Sequence, residues 1–228
     1  MREIILDTET TGLDPANGDR VVEIGCFVLM NRVPTGEFFH EYLNPERPMP
    51  AGAERVHGLS DAFLADKPLF SAVADAFLAF VGDDPIVAHN APFDFGFLNA
   101  ELARIGYSPI ARERMIDTRE IAKVRFPGAK ASLDALCTRF NIDRSARVKH
   151  GALLDAELLA AVYLELTGGR QQAFDLAAVA GEPQSGQTAT MTPERPARIP
   201  RAFVPTPEEL AAHGVFIATM QNPIWTRP

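Results

Sequence analysis

Residues 4–12 of the chain read IILDTETTG, from Ile4 to Gly12, and this stretch decides the fold. Its apolar start predicts a short buried β-strand, and the acids Asp7 and Glu9 follow where that strand ends. Because strand side chains alternate between two faces, these acids lie next to each other on one face. Two like charges held this close need a cation between them, unless they are solvated surface acids.

Outward from this stretch, strand-like and helix-like segments alternate up to about residue 168. Short polar turns separate residues 4–6, 21–28 and 38–43, which predicts three antiparallel strands. Further strands and helices follow, and helix stops are marked by glycine or proline. The further strands are predicted at 86–88 and 115–116, and the helices at 70–81, 94–105, 118–126, 132–140 and 151–166. The predicted fold class is α/β, with a mixed β-sheet flanked by helices.

Composition places the chain among globular proteins, with 46% hydrophobic and 23% charged residues. The formal net charge of −8 argues against capture of nucleic acid by a basic surface. Two cysteines, Cys26 and Cys137, are too few for a disulfide framework, which indicates buried thiols in a reducing compartment. We expect a cytoplasmic protein with no signal peptide, since no apolar run approaches the ~20 residues of a membrane span.

The composition changes after Gly169. Residues 170–200 are rich in Pro, Gly, Gln, Thr and Ser, which predicts a flexible linker. Apolar residues return in 201–228, around a helix-like segment at 207–213. A segment this short cannot build its own core, so it is either a docking tail for a partner or an extension packed on its own domain. We therefore expect a catalytic domain at 1–169, followed by the linker and the tail.

Two further segments carry candidate site residues. Residues 89–94 read HNAPFD and place Asp94 between a strand end and a helix start, where it could simply cap the helix. Residues 150–155 read HGALLD, so His150 precedes a helix and Asp155 lies about 1.4 turns along it. An acid among apolar neighbours needs a partner. For the histidine, a capping or surface position is the alternative.

Four carboxylates and one histidine thus fall at strand ends or helix N-termini, where active-site groups of α/β folds gather. Oxygen ligands without cysteine favour Mg²⁺ or Mn²⁺ over zinc. Two such ions can stabilise the attacking and leaving oxygens of a phosphoryl displacement. Histidine, with an ordinary pKa of about 6.5, suits removal of a proton from the attacking water. The implied chemistry is metal-assisted phosphodiester hydrolysis.

The three motifs, residues 7–12, 89–94 and 150–156, resemble those of the DEDDh 3′→5′ exonucleases in order and spacing. This resemblance implies a ribonuclease H-like fold, two divalent metal ions (Mg²⁺ or Mn²⁺) and His150 as the general base. It also implies that four carboxylates bind the metals. These are Asp7, Glu9, Asp94 and Asp155. Asp117 matches a further family position, although a helix cap explains it equally well.

Within this family, the likeness is to proofreading exonucleases of bacterial replicative polymerases, which implies a single-stranded or frayed DNA 3′ end as substrate. Residues 56–60 match a loop that lines the terminal-nucleotide pocket, so His57 is expected to stack on a frayed base; a plain loop histidine is the alternative. Leu13 and Phe93 are expected to wedge or stack near the 3′ end. The other implied substrate-binding residues are Thr8, Glu9, Thr10, Thr11 and Asn90.

The resemblance extends to the C-terminal part. Residues 203–213, followed by Trp225, are similar to a segment that binds the polymerising alpha subunit. Residues 171–176 read QQAFDL, which has the pattern of a sliding-clamp peptide, although continuation of a helix competes with that interpretation. The clamp contacts would be Gln171, Phe174 and Leu176. The family also admits a small accessory subunit as a partner, and no membrane partner is expected.

Two other functions stay open. A stand-alone DEDDh exonuclease acting on RNA or single-stranded DNA shares the three motifs, although it has no need for the linker and the tail. A non-catalytic replication scaffold would not need the complete set of four acids and one histidine. The preferred hypothesis is a DNA exonuclease that removes mismatched 3′ ends, because such ends melt at lower cost than paired ones.

Overall fold

A computed structural model of the chain describes residues 1–145, 147, 149–168 and 205–220. The chain divides into two compact units, Met1–Asp175 and Leu176–Pro228, and each is considered by itself. The first unit carries all three sequence motifs.

One mixed sheet forms the centre of the first unit. Its strands are β1 (Arg2–Thr10), β2 (Val21–Met30), β3 (Val33–Tyr42), β4 (Ile86–Ala88) and β5 (Met115–Asp117). Their order across the sheet is β3-β2-β1-β4-β5. The first three strands pair antiparallel, as the short turns predict, while β4 and β5 run parallel to β1. The mixed α/β sheet expected from the sequence is therefore confirmed.

Seven helices of the described part of this unit accompany the sheet. They are α1 (Ala51–His57), α2 (Asp61–Leu64), α3 (Phe70–Val81), α4 (Ala91–Arg104), α5 (Thr118–Arg125), α6 (Leu133–Phe140) and α7 (Ala152–Leu166). Five of them were predicted, including the cap of α6, where the Ser132 hydroxyl accepts the Ala135 N–H at 3.3 Å. The short α1 and α2 were missed because neither is long enough to show an apolar period.

Several predicted boundaries were wrong. Strand β1 spans Arg2–Thr10 rather than 4–6, so Asp7 and Glu9 lie within the strand and not after it, and β2 continues to Met30. Strand β3 begins at Val33 rather than residue 38, because it is an edge strand whose first residues are exposed and lack apolar alternation. Helix α4 begins at Ala91, three residues before Asp94. Asn90 takes the N-cap position in the left-handed region, with φ 67°, and Pro92 follows within the first turn. Asp94 is therefore a buried residue inside the helix and not its cap.

Successive residues of β1 pack on opposite sides of the sheet. Leu6 belongs to the core under α3 and α4, whereas Ile5 belongs to the core under α6 and α7. The same alternation directs Thr8 toward α4 and directs Asp7 and Glu9 toward α7. The two acids of the first motif thus share one face, as the strand period predicts.

The side of the sheet that packs against α7 also holds a buried acid far from the motifs. Glu3 is 1% exposed and accepts a 2.7 Å hydrogen bond from the Tyr163 hydroxyl. Its other oxygen lies 3.3 Å from Nε of Arg32, which also stacks over the Tyr163 ring. These contacts satisfy a charge that would otherwise be costly to bury.

We expect Tyr163→Phe to lower the free energy of unfolding by about 1–3 kcal/mol, because it leaves the buried Glu3 short of a donor. Urea denaturation measures the change. Tyr107→Phe is the matched control, since its hydroxyl donates to Asp75 at the surface over 2.6 Å, and we expect a loss below about 0.5 kcal/mol there. Equal losses in both variants would contradict the prediction.

The second unit contains α8 (Pro207–Ala218). Thr206 caps it in a reciprocal capping box, accepting the Glu209 N–H at 3.2 Å while its own N–H donates to the Glu209 carboxylate at 2.8 Å. The predicted helix ended at residue 213, but α8 continues through Gly214, since one glycine costs a helix only about 1 kcal/mol.

Several predictions fall on residues that the structure does not describe. The linker at 170–200, Trp225 and the clamp contacts all lie outside the described residues. The clamp contacts are Gln171, Phe174 and Leu176. Within the described part, Cys26 and Cys137 are buried free thiols, as expected. No helix of the described residues has the length and apolar character needed to cross a membrane.

Candidate active site

The acids of β1 lie close to further carboxylates. Glu9 is buried, and burial together with Asp155 raises its pKa to about 8. Burial also raises the pKa of Asp7 well above its ordinary value, and the charges of Asp94 and Glu9 raise it further. Buried like charges resist ionisation unless a cation compensates them.

Helix α4 delivers Asp94 to the same place from the other side of the sheet. Its carboxylate is buried and accepts a 2.7 Å hydrogen bond from the Thr8 hydroxyl. Burial raises the pKa of Asp94 to about 7, although the Thr8 hydrogen bond opposes that shift. The buried Thr8 hydroxyl is committed to Asp94 and positions that acid, while the expected contact of Thr8 with substrate stays a prediction.

The third motif contributes Asp155 from the first turn of α7. This acid is 3% exposed, and its Oδ2 lies 3.1 Å from Nδ1 of His150, which precedes the helix. Arg147 also contacts it, with Nε 2.5 Å from Oδ1 and Nη2 2.6 Å from Oδ2. The His150 side chain is 46% exposed, so the ring is open to a molecule entering the site.

A glycine explains how α7 comes so close to the sheet. Gly25 lies opposite Asp7 in the β1–β2 register. A Cβ atom there would lie within 2.5 Å of the backbone of Ala152 and Leu153. The start of α7 therefore rests directly on β2, which brings Asp155 to Asp7. A glycine inside an apolar strand is the local sequence signal of such a close approach.

The five predicted catalytic residues are brought together. Ligand atoms of Glu9, His150 and Asp155 all lie within 4.8 Å of one another. Asp7 and Asp94 belong to the same cluster, since the charge of Asp94 raises the pKa of both Asp7 and Glu9. The charge of Asp155 raises both pKa values as well. The donors are carboxylate oxygens with one imidazole nitrogen, and their buried charges lack compensation. This set fits divalent metal ions such as Mg²⁺ or Mn²⁺.

A cleft of about 490 Å³ opens beside the cluster. One wall holds Asp7, Asp155 and His150, and basic side chains of α5 line another part. These are Arg119 and Lys123. The residues that line the cleft therefore include both carboxylates and cationic groups, and the cationic groups can contact phosphate.

Asp117 organises the edge of this cleft. Its carboxylate accepts the backbone N–H of Asn90 at 3.0 Å and that of Arg119 at 2.9 Å. The Arg119 guanidinium also donates to the Asn90 side-chain oxygen over 3.1 Å. Asp117 is thus the cap of α5, one of the two interpretations of the sequence, and it additionally holds Asn90 in its left-handed conformation.

Among the other predicted substrate contacts, exposure differs widely. Leu13 is 84% exposed, which suits a wedge, whereas Phe93 is partly buried with its ring centroid 4.8 Å from that of Phe97. The Thr10 hydroxyl donates to the Gly12 carbonyl over 2.6 Å, and that of Thr11 donates to an Asp19 oxygen over 3.3 Å. These hydroxyls shape the turn after β1, and the Thr11 N–H donates to the Arg20 carbonyl at 2.9 Å, so contacts of Thr10 and Thr11 with substrate stay a prediction.

His57 was predicted to lie in a loop, but it is the last residue of α1. It is 6% exposed, and its Nδ1 accepts the Leu59 N–H at 3.0 Å. Its Nε2 has no hydrogen-bond partner within the part of the chain that the structure describes. The buried ring cannot stack on a base in this conformation, so the predicted stacking would need the end of α1 to move.

Glu23 was missed as a neighbour of the site. It is paired with Glu9 across β1 and β2, is buried, and contributes to the raised pKa of Glu9. His40 Nε2 lies 2.7 Å from its carboxylate and provides a partner. An acid inside an apolar strand signals such a role, because an unpaired carboxylate is seldom buried there.

We expect the metal-free protein to lose stability as the pH rises from about 5 to about 7. Its folded state keeps protons on Glu9 and Asp94 where the unfolded chain has released them. The free energy of unfolding then falls by about 1.4 kcal/mol per pH unit for each such group. Urea denaturation in EDTA at several pH values measures the slope. Glu9→Gln cannot titrate there and should show a shallower slope, while parallel slopes would contradict the prediction.

Comparison with known proteins agrees with this geometry. The exonuclease family model of the RNase T type matches residues 4–163. The chain belongs to this exonuclease family. It is 49% identical to DNA polymerase III subunit epsilon of Rickettsia felis, over 96% of this chain and 97% of that relative. It is 42% identical to the Escherichia coli K12 subunit of the same name, over 97% and 94%. The exonuclease is therefore a member of the epsilon-subunit family.

Solved structures show the same fold. Exonuclease X in complex with 5′ overhanging duplex DNA is 27% identical, with a TM-score of 0.58, over 72% of this chain and 90% of that chain. The nuclease domain of 3′hExo, a DEDDh family member bound to rAMP, is 17% identical, with a TM-score of 0.63, over 75% and 94%. The second likeness shows the fold alone, and it confirms the ribonuclease H-like architecture. Exonucleases of the DEDDh family depend on divalent metal ions, which agrees with the donor set.

Proposed function

We propose that this exonuclease is the proofreading subunit of a bacterial DNA polymerase III, working in the cytoplasm on single-stranded or frayed DNA 3′ ends. One observation carries the proposal: four carboxylates and His150 converge beside a cleft lined by basic side chains. The epsilon-family relatives support the assignment to a replicative polymerase, since their likeness covers nearly the whole chain.

Within the site, we assign separate roles to the carboxylates and the histidine. Asp7, Glu9, Asp94 and Asp155 would hold two Mg²⁺ or Mn²⁺ ions, which supply electrostatic stabilisation of the scissile phosphate. His150 takes the proton of the attacking water at Nε2, and a hydrogen bond from its Nδ1 to Asp155 orients the ring.

Selectivity for mismatched ends need not involve base recognition. A mispaired terminus separates at lower cost, so its 3′ strand reaches the cleft more often. Leu13 is exposed beside the first motif, and its position supports a role in keeping the end apart from its complement. Arg119 and Lys123 offer charge to the phosphates of the entering strand.

A 3′-labelled DNA oligonucleotide tests the activity. We expect Mg²⁺-dependent release of the labelled nucleotide, faster from single-stranded or mismatched ends than from paired ends, and none in EDTA. An RNA oligonucleotide of the same sequence provides the comparison. Faster hydrolysis of RNA would favour the stand-alone exoribonuclease, and no hydrolysis of either would favour the scaffold.

For the partner, we propose that α8 docks on the polymerising alpha subunit. The helix exposes Leu210, Val215 and Phe216, three large apolar side chains whose exposure favours a protein contact. We expect Phe216→Asp to reduce co-purification with alpha at least tenfold while single-stranded DNA hydrolysis is unchanged. Glu208→Gln, on the same exposed helix, is the control and should keep binding. Full binding by the Phe216 variant would contradict the proposed contact.

The clamp contact is a separate proposal. Gln171, Phe174 and Leu176 keep the glutamine and apolar anchors of a clamp peptide. We expect Phe174→Ala to abolish retention on immobilised sliding clamp, with alpha binding retained. Equal retention of both forms would remove the clamp from the set of partners. A small accessory subunit stays a proposed partner of the catalytic domain.

A further inference from the structure

Arg147 contacts both carboxylate oxygens of Asp155 in the active site, and the roles proposed above do not use it. Its Nε and Nη2 lie 2.5 and 2.6 Å from the two carboxylate oxygens of Asp155. Its Nη1 donates to Asp134 over 2.6 Å. The side chain is only 9% exposed, so the guanidinium is enclosed between these two acids. Paired, charge-assisted hydrogen bonds of this kind are among the strongest in proteins.

The guanidinium acts on the whole acidic cluster. It lowers the pKa of Glu9, against the effects of burial and of Asp155. Burial lowers the pKa of Arg147 itself, but Asp155, Asp134 and Asp7 outweigh burial and raise it. Arg147 therefore supplies positive charge at the position where the carboxylates require a cation. Both oxygens of Asp155 are occupied by this arginine.

The same arginine affects His150. Its Nη2 lies 2.6 Å from Nδ1 and 3.4 Å from Nε2 of the ring. Nδ1 also lies 3.1 Å from Oδ2 of Asp155, the same oxygen that Arg147 Nη2 contacts at 2.6 Å. A guanidinium can only donate. With Arg147 in place, the guanidinium and the imidazole therefore compete for one oxygen of Asp155.

We propose that Arg147 is the internal counterion of the metal-free site, and that it and a divalent metal ion are alternative partners of Asp155. The inference rests on the proposed metal-binding role of Asp155. When metal binds, the guanidinium leaves Asp155 while its contact with Asp134 gives it a second anchor. The hydrogen bond of His150 Nδ1–H to Asp155 then has no competition from Arg147, and it orients the ring. Metal binding and the orientation of the base are coupled through one side chain.

Calorimetric titration of the full chain with Mn²⁺ tests the exchange. We expect Arg147→Gln to bind Mn²⁺ about tenfold more tightly than the natural chain, because the competing charge is gone. A purely structural role would predict weaker binding, since the acids would be less well ordered. Arg144→Gln is the matched control. Arg144 contacts the same Asp134 oxygen at 2.9 Å without contacting Asp155, so its loss should change the affinity less than twofold.

A second measurement uses the natural chain and does not depend on a variant. In the metal-free protein, the Arg147 Nε–H should be resolved by NMR and protected from exchange, and saturating Mg²⁺ should remove that protection. Unchanged protection at saturation, or equal Mn²⁺ affinity of the natural chain and Arg147→Gln, overturns the exchange while the proposed function stands. A natural chain that binds no Mn²⁺ at all overturns both.

Discussion

Asp7→Asn should lower the rate of 3′-nucleotide release by at least about a thousandfold and yet stabilise the metal-free protein. The loss of rate follows because a metal-binding carboxylate contributes several kcal/mol to stabilisation of the transition state. The gain in stability follows because burial and neighbouring acids hold the pKa of Asp7 far above its ordinary value. No ion pair to Asp7 is present among the residues that the structure describes. Replacing the acid therefore removes repulsion without breaking a pair.

The activity is measured with a 3′-labelled oligonucleotide at saturating Mg²⁺, and the stability by urea denaturation in EDTA. We expect a gain of about 2 kcal/mol at neutral pH. Asp83→Asn, at an exposed position outside the cluster, is the control for loss of a negative charge and should change neither quantity. Activity of Asp7→Asn near that of the natural chain would refute the metal-site assignment, and reduced stability would refute the electrostatic argument.

Asp155→Asn should lose activity to the same extent, but its effect on stability is opposite. Asp155 is paired with Arg147 and lies against His150, so its replacement leaves the enclosed guanidinium with Asp134 as its ion-pair partner among the described residues. Removing one member of a buried pair destabilises a protein because the other charge stays uncompensated. The two acids thus have similar roles in hydrolysis and different roles in the metal-free fold.

The catalytic cluster was predictable because its signals are local. Strand alternation placed Asp7 and Glu9 on one face, and the order of the motifs placed Asp94 and Asp155 where parallel strands and helix starts converge. Each of these inferences needs only a few consecutive residues and the period of one element. The structure places these acids near one another, with ligand atoms of Glu9, His150 and Asp155 within 4.8 Å, and their catalytic roles stay predictions.

The remaining parts of the site depend on contacts between segments far apart in the chain. The role of Gly25 follows from the approach of α7, and the role of Asp117 follows from its hydrogen bonds to Asn90 and to the start of α5. Arg147 stands in an irregular segment with no apolar period, so no local signal indicates that its side chain is enclosed. Burial of His57 likewise follows from packing of α1, a helix too short to be recognised in advance.

His150→Ala should reduce the rate of hydrolysis by about a hundredfold to ten-thousandfold while leaving Mn²⁺ binding nearly unchanged, because general base catalysis contributes a factor of that size. The fold should tolerate the change, since the side chain is half exposed and belongs to none of the hydrophobic clusters. Single-turnover hydrolysis and calorimetric titration with Mn²⁺ measure the two quantities on the same protein.

This pair of measurements separates two roles that the geometry alone permits. Because Nδ1 or Nε2 of His150 lies within 4.8 Å of ligand atoms of Glu9 and Asp155, the histidine could also bind metal directly. A metal ligand would lose Mn²⁺ affinity when replaced, whereas a base would not. Added imidazole should partly restore hydrolysis by His150→Ala, because the space vacated by an exposed ring is open to a small base. Loss of Mn²⁺ binding without rescue by imidazole would make His150 a ligand and leave the attacking water without its assigned base.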